Sequence, residues 1–182
     1  MKNEKRHILL CGNRRSGRSS MIRRLLEDTA MPAGGFMTRT LNTRADGYHE
    51  IYMFPYGEPD PRPFEHCHIG DCNTRERVIH NEVFNGLGVQ LLCAHTDGIL
   101  VMDEIGFMES GAEDFCAAVL ECLNGDQPVL AALRTSIDTP FIRQVLACEK
   151  ARIVEMHPER FEEIYRELAP VVAGWERELR SC

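Results

Sequence analysis

The chain lacks any apolar run approaching the roughly 18 residues that a membrane span needs, so no spanning helix and no membrane partner are expected. It lacks the hydrophobic N-terminal stretch of an export signal, and the expected location is the cytoplasm. Net positive charge is also missing: the formal balance of −7 argues against a surface that coats nucleic acid. Internal repeats and low-complexity tracts are absent. Cysteine is not scarce, but the eight cysteines are scattered, several of them (Cys11, Cys93, Cys116, Cys122, Cys148) inside apolar patterns. Reduced, mostly buried thiols are therefore expected in place of a disulfide framework. With 182 residues, 43% of them hydrophobic, the chain can bury a real core and suits a single domain over 1–182.

The most informative absence is a single lysine. Leu9-Leu10-Cys11-Gly12-Asn13-Arg14-Arg15-Ser16-Gly17-Arg18-Ser19-Ser20 follows the phosphate-binding pattern G-x-x-x-x-G-K-[ST], except that Arg18 stands at the lysine position. His7 to Cys11 is an apolar run of strand length. After Gly17, Met21, Ile22, Leu25 and Leu26 fall on one stripe of a helix, with Arg23, Arg24 and Glu27 between them. Strand, glycine-bounded loop and helix N-terminus in that order gather backbone N–H groups around one point, which attracts anions. Gly12, Asn13, Arg14, Arg15, Ser16, Gly17, Arg18, Ser19 and Ser20 are the candidate nucleotide-binding residues. The bland alternative is an ordinary strand-to-helix turn carrying two glycines. Lys2, Lys5, Arg6, Arg14, Arg15, Arg18, Arg23 and Arg24 crowd this end, opposed before Glu27 only by Glu4, a local field suited to a small polyanion. For Arg23 and Arg24, a solvated helix face is an equal reading.

Further along, Phe36 to Leu41 and Tyr48 to Phe54 are expected strands joined through an Asp46-Gly47 turn, an antiparallel hairpin inserted early in the fold. Pro55 to Pro63 is expected to be irregular. His66-Cys67-His68-Ile69-Gly70-Asp71-Cys72 invites a zinc reading, but no second ligand pair follows, and a loop with incidental His and Cys is the expectation. Asn73 or Thr74 is a candidate cap, and a helix is expected over 78–93, weakened by Gly86 and Gly88. Helices over 113–123 and 139–147, strands over 128–133 and 151–155, and a long helix opened by His157-Pro158 and kinked or restarted at Pro170 complete the alternation. That last helix carries Phe161, Ile164, Tyr165, Leu168, Val171, Val172, Trp175 and Leu179 as its apolar set. The expected architecture is a three-layer α/β domain whose central sheet is mainly parallel.

Gly98-Ile99-Leu100-Val101-Met102-Asp103-Glu104-Ile105-Gly106 is the second informative stretch. Its apolar run from Ile99 to Met102 suits a strand buried on both faces, and Asp103 and Glu104 fall at the C-terminal end, where open parallel sheets place ligands. Asp103 can hold a magnesium ion opposite the Ser19 hydroxyl, and Glu104 can orient or deprotonate an attacking water. A helix-capping Asp and a solvated Glu are the plainer alternative.

With both stretches in view, the chain resembles the P-loop nucleoside-triphosphatase family of the cancer-related NTPase type. The residues that carry the resemblance are the 12–20 loop, Gly35-Phe36-Met37-Thr38 before the hairpin, and above all Asp103-Glu104-Ile105-Gly106-Phe107-Met108-Glu109, against a family segment D-E-I-G-x-M-E. It implies a P-loop NTPase fold and slow, magnesium-dependent hydrolysis of nucleoside triphosphates, ATP among them, with Glu104 and Arg18 catalytic and Ser19 and Asp103 at the metal. Arg18 departs from the family lysine, Phe107 stands where many members carry a basic residue, and His157-Pro158-Glu159-Arg160 matches a family Asn-Arg pair only loosely. Because arginine keeps the charge but carries a wider planar head, retained phosphate affinity with weakened catalysis is expected. Two other functions stay open: a nucleotide-binding module without turnover, and a small nucleoside or nucleotide kinase, for which Arg134, Arg143 and Arg152 are candidates without lid-like clustering.

Overall fold

A computed structural model describes residues 5–94 and 97–179. Lys2, Glu4 and the Leu179 side chain, named above, lie outside the described part. Eight strands form one sheet in the order β5-β4-β3-β2-β6-β7-β1-β8. β1 (His7–Gly12), β2 (Ala33–Thr43), β6 (Ile99–Ile105), β7 (Val129–Arg134) and β8 (Ala151–Glu155) run parallel. β3 (His49–Pro55), β4 (His68–Cys72) and β5 (Arg77–Ile79) extend the sheet antiparallel beyond β2. The expected hairpin is therefore β2–β3, and it carries two further strands.

Alternation along the strands divides the core. Ile8 and Leu10 of β1 face the side covered by α1 (Arg18–Glu27) and α6 (Phe161–Leu179), while Leu9 and Cys11 face the side covered by α3 (Val89–Cys93), α4 (Glu113–Asn124) and α5 (Pro140–Leu146). Met21, Ile22 and Leu25 of α1 and Ile164, Leu168, Val172 and Trp175 of α6 bury the expected stripes. Helices on both faces of a mostly parallel sheet make the three-layer α/β fold. Thr139 caps α5 by accepting from the Ile142 amide at 3.1 Å, with Pro140 in the first turn.

Several local expectations need correction. The 68–72 part of the His-Cys segment is a strand, because its backbone pairs with β3 on one side and β5 on the other. Asn73 does not cap a helix; its Oδ1 accepts from the Arg75 and Glu76 amides at 2.7 Å and turns the chain from β4 into β5. Helical structure starts at α2 (Asn81–Val83), after β5, and passes through a π turn (Phe84–Gly88) at the two glycines before α3. Pro170 neither ends nor restarts α6, which is one helix; the proline lies on its exposed side, where water can serve the carbonyl left without its amide partner. Among the described cysteines all are free, but only Cys11 and Cys67 are fully buried and Cys93 is exposed.

β2 positions the site. Its first half pairs with β6, from Ala33↔Ile99 to Met37↔Asp103, and its second half runs on with β3 past the end of β6. Gly35 permits this close approach: at φ 99° an added Cβ would lie 2.1 Å from the Val101 carbonyl oxygen. Gly35→Ala is expected to cost on the order of 3 kcal/mol, from left-handed strain plus overpacking. A urea titration followed by far-ultraviolet circular dichroism reads that loss as a lowered midpoint at unchanged slope.

Candidate functional site

Parallel register brings three C-terminal strand ends to one edge. Gly12 pairs with Arg134 across β1 and β7, and Asp103 pairs with Ala132 across β6 and β7. The 12–20 loop leaves β1 at this edge. Gly12 (φ 152°), Arg15 (φ 66°) and Gly17 (φ 92°) set its path, and the Ser16 amide closes a turn on the Asn13 carbonyl at 3.2 Å. Asn13, Arg14 and Arg15 are exposed at its crown, whereas Ser16 is buried and its Oγ has no hydrogen-bond partner. Gly17 is the N-cap of α1 and supplies no side-chain cap for the first-turn amides. Ser20 lies exposed in that first turn.

Arg18 points inward and is only 5% exposed. Its Nη2 donates to the Asn13 carbonyl at 3.2 Å and to Glu104 Oε2 at 3.0 Å. Its Nη1 is buried without a partner. Next to it, the Ser19 hydroxyl donates to Asp103 Oδ1 at 2.6 Å. Asp103 is buried, with Arg39 Nη1 3.7 Å from Oδ2, and Arg134 Nη1 lies 3.7 Å from Glu104 Oε1. Burial lowers the Arg18 pKa and raises that of Glu104; each restores part of the other's charge, and Arg134 adds to the support of Glu104. The structure thus brings Arg18, Ser19, Asp103 and Glu104 together from α1 and β6.

A cleft of about 850 Å³ is lined by residues from the strand ends and from the β2–β5 extension. Sequence reading missed most of its lining. Arg39, Arg75 and Arg77 come from separate strands and turns, and Arg134, treated above as scattered, is held at the cleft floor beside Glu104. The signal in the sequence was only a set of arginines at unrelated spacings. In the His-Cys segment, the group that forms is His68, Asp71 and His80, with ligand atoms within 4.8 Å of one another; the cysteines are not in it, and His80 comes from outside the segment. His68 Nε2 lies 3.1 Å from Asp71 Oδ1 and its ring stacks on Tyr52.

Glu109, the last residue of the acidic motif, is buried and accepts from the Gly106 amide, which ties down the turn after β6. Burial pushes its pKa up to about 7, with Glu104 adding to the rise and backbone amides opposing it. The folded protein therefore binds this proton more tightly than the unfolded chain does. Its contribution to stability is present below the ordinary carboxylate range and falls as the pH rises to about 7. Thermal denaturation at pH 5 and pH 8 is expected to show a pH-dependent loss on the order of 3 kcal/mol that Glu109→Gln removes; an equally steep loss in the variant sinks this assignment.

A family sequence model described as NTPase matches residues 7–169. No curated protein sequence matches the chain. Among solved structures, THEP1 from the hyperthermophile Aquifex aeolicus superposes with a TM-score of 0.69 at 16% identity, covering 91% of this chain and 98% of that one. The solution structure of a human cancer-related nucleoside triphosphatase superposes with a TM-score of 0.63 at 19% identity, covering 92% and 97% respectively. At these identities the likeness is one of fold. Among the described residues no helix is long and apolar enough to cross a membrane.

Proposed function

The chain belongs to the NTPase family, and from that premise we propose that it binds a nucleoside triphosphate at the 12–20 loop and hydrolyses it slowly with magnesium. The carrying observation is the buried Arg18 Nη1 that lacks an acceptor beside the uncapped start of α1. A buried unsatisfied donor costs roughly 1–3 kcal/mol, and a phosphate oxygen arriving at the loop relieves that cost while meeting the free amides. Gly12 and Gly17 let the backbone approach the guest; Asn13 to Ser16 form the wall, and Ser20 extends the first turn.

The Ser19 hydroxyl and Asp103 carboxylate are hard oxygen donors already side by side, a set that fits magnesium. Bound there, the ion would neutralise charge on the terminal phosphates. Glu104 orients a water for attack on the γ-phosphorus and accepts its proton, the bond to the β–γ bridging oxygen breaks, and inorganic phosphate and a nucleoside diphosphate leave. Arg18 stabilises the developing charge. One domain carrying this site over 1–182, working in the cytoplasm without nucleic acid or membrane as partner, is the organisation this reading implies.

Nucleotide binding and phosphate release are measured together, with and without magnesium. Saturable triphosphate binding with magnesium-stimulated release is expected, and Ser19→Ala is expected to weaken magnesium-dependent binding roughly tenfold, the loss of one good hydrogen bond or ligand contact. Stoichiometric retention of triphosphate without release would establish a non-hydrolysing module instead.

A further inference from the structure

Hydrolysis requires space for one water at Glu104, yet the cleft that opens there measures about 850 Å³, the size of a site for a whole small molecule. Five guanidiniums line it: Arg14, Arg39, Arg75, Arg77 and Arg134. Asp46, Glu104 and Glu109 are the carboxyl groups in the same lining, so with five guanidiniums the cleft is electropositive within a chain of net charge −7. Among the described residues, Arg14, Arg75 and Arg77 are in no ion pair. Arg39 and Arg134 reach toward Asp103 and Glu104, so this positive lining continues to the position a γ-phosphate would take. Phe107 adds a planar wall, with the Arg77 guanidinium 4.3 Å and that of Arg134 5.3 Å from its ring centroid. Guanidiniums recognise phosphate by paired donors, and rings with flanking guanidiniums stack on planar bases.

We propose that this cleft binds a second substrate, a nucleoside monophosphate, and that the protein transfers the γ-phosphoryl group to it. The inference rests on triphosphate binding at the 12–20 loop and replaces water by a better-held acceptor. A phosphate oxygen of the monophosphate forms the new bond to the γ-phosphorus. The bond from the γ-phosphorus to the β–γ bridging oxygen breaks, and its electron pair stays on the β-phosphate. Two nucleoside diphosphates result, and no proton must be removed because the acceptor oxygen is already anionic. Arg75 and Arg77, on the β4–β5 turn and strand, hold the acceptor phosphate or its ribose side, while Arg39 and Arg134 offset repulsion between the two phosphate groups.

The test supplies ATP and magnesium with AMP, CMP, GMP, UMP or dTMP and separates products by chromatography, alongside triphosphate affinity and phosphate release. At least one monophosphate is expected to yield its diphosphate at more than about ten times the rate of phosphate release, since bound acceptors outcompete water by proximity. In the exposed double variant Arg75→Gln/Arg77→Gln, the KM for that monophosphate is expected to rise about tenfold or more, with triphosphate affinity within about twofold. If triphosphate binds and is hydrolysed but no monophosphate yields a diphosphate, the acceptor site is refuted and the hydrolysis reading stands. If the double variant weakens triphosphate binding as much as it weakens monophosphate use, the cleft belongs to the donor and the inference fails. Absence of triphosphate binding overturns both readings.

Discussion

Glu104→Gln is expected to lower kcat for triphosphate hydrolysis by at least about a hundredfold, the range for loss of a positioned general base, with triphosphate affinity changed only a few-fold. Glutamine keeps an oxygen for Arg18 Nη2, now at 3.0 Å from Glu104 Oε2, so the buried guanidinium retains a hydrogen-bond acceptor. What disappears is the carboxylate proposed to take the proton from water. The wild-type rate should also rise with pH through a limb displaced above the ordinary carboxylate range, because burial raises the Glu104 pKa. That limb is expected to vanish in the variant. Equal turnover in wild type and variant would falsify the role assigned to Glu104.

Arg18→Lys is expected to raise kcat on the order of tenfold, equivalent to about 1.4 kcal/mol off the barrier. Arg18 currently divides itself: Nη2 is committed to Asn13 and Glu104, and Nη1 is left for a guest. The same planar head that is proposed to meet a phosphate therefore also holds Glu104, the proposed base. A lysine ammonium is a compact charge on a flexible stem; placed among the terminal phosphates it releases Glu104 to the water. Single-turnover phosphate release with saturating triphosphate isolates this effect from changes in affinity. A wild type faster than the variant refutes the account, and would mean that the Arg18–Glu104 contact is part of the working arrangement.

The two variants also separate hydrolysis from transfer. If the acceptor oxygen is a phosphate, Glu104→Gln harms water attack far more than diphosphate formation, since only water must lose a proton. Arg18→Lys should likewise speed hydrolysis more than transfer, because what it frees is Glu104, which only the attack of water needs.

The parts of the candidate site that are contiguous in the chain are legible in the sequence. The loop could be found because its parts are contiguous: two glycines, a hydroxyl at Ser19 and an apolar stripe through Met21, Ile22 and Leu25 act over one strand-to-helix turn. Asp103 and Glu104 could be found because a buried run ends in charge. Where local pattern failed, pairing with distant residues had the stronger hand. His68–Cys72 is a strand because its backbone pairs with β3 on one side and β5 on the other, and the stretch at 77–79 is drawn into the sheet edge before the helix can begin. Pro170 stays inside a helix because that helix is anchored by Ile164, Leu168, Val172 and Trp175 against the sheet.

Order along the chain was enough for the α/β alternation, the glycine-bounded 12–20 loop and the acidic pair at the end of β6, since each depends on neighbours a few residues away. The Arg18–Glu104 contact and the arginine-lined cleft were settled by the folded sheet alone. Their partners are separated by dozens of residues, and spacing carries no information about which strands lie side by side. That was decided by the parallel register of β1, β6 and β7 and by the continuation of β2 past Asp103, where Gly35 lets two backbones approach more closely than any side chain would allow.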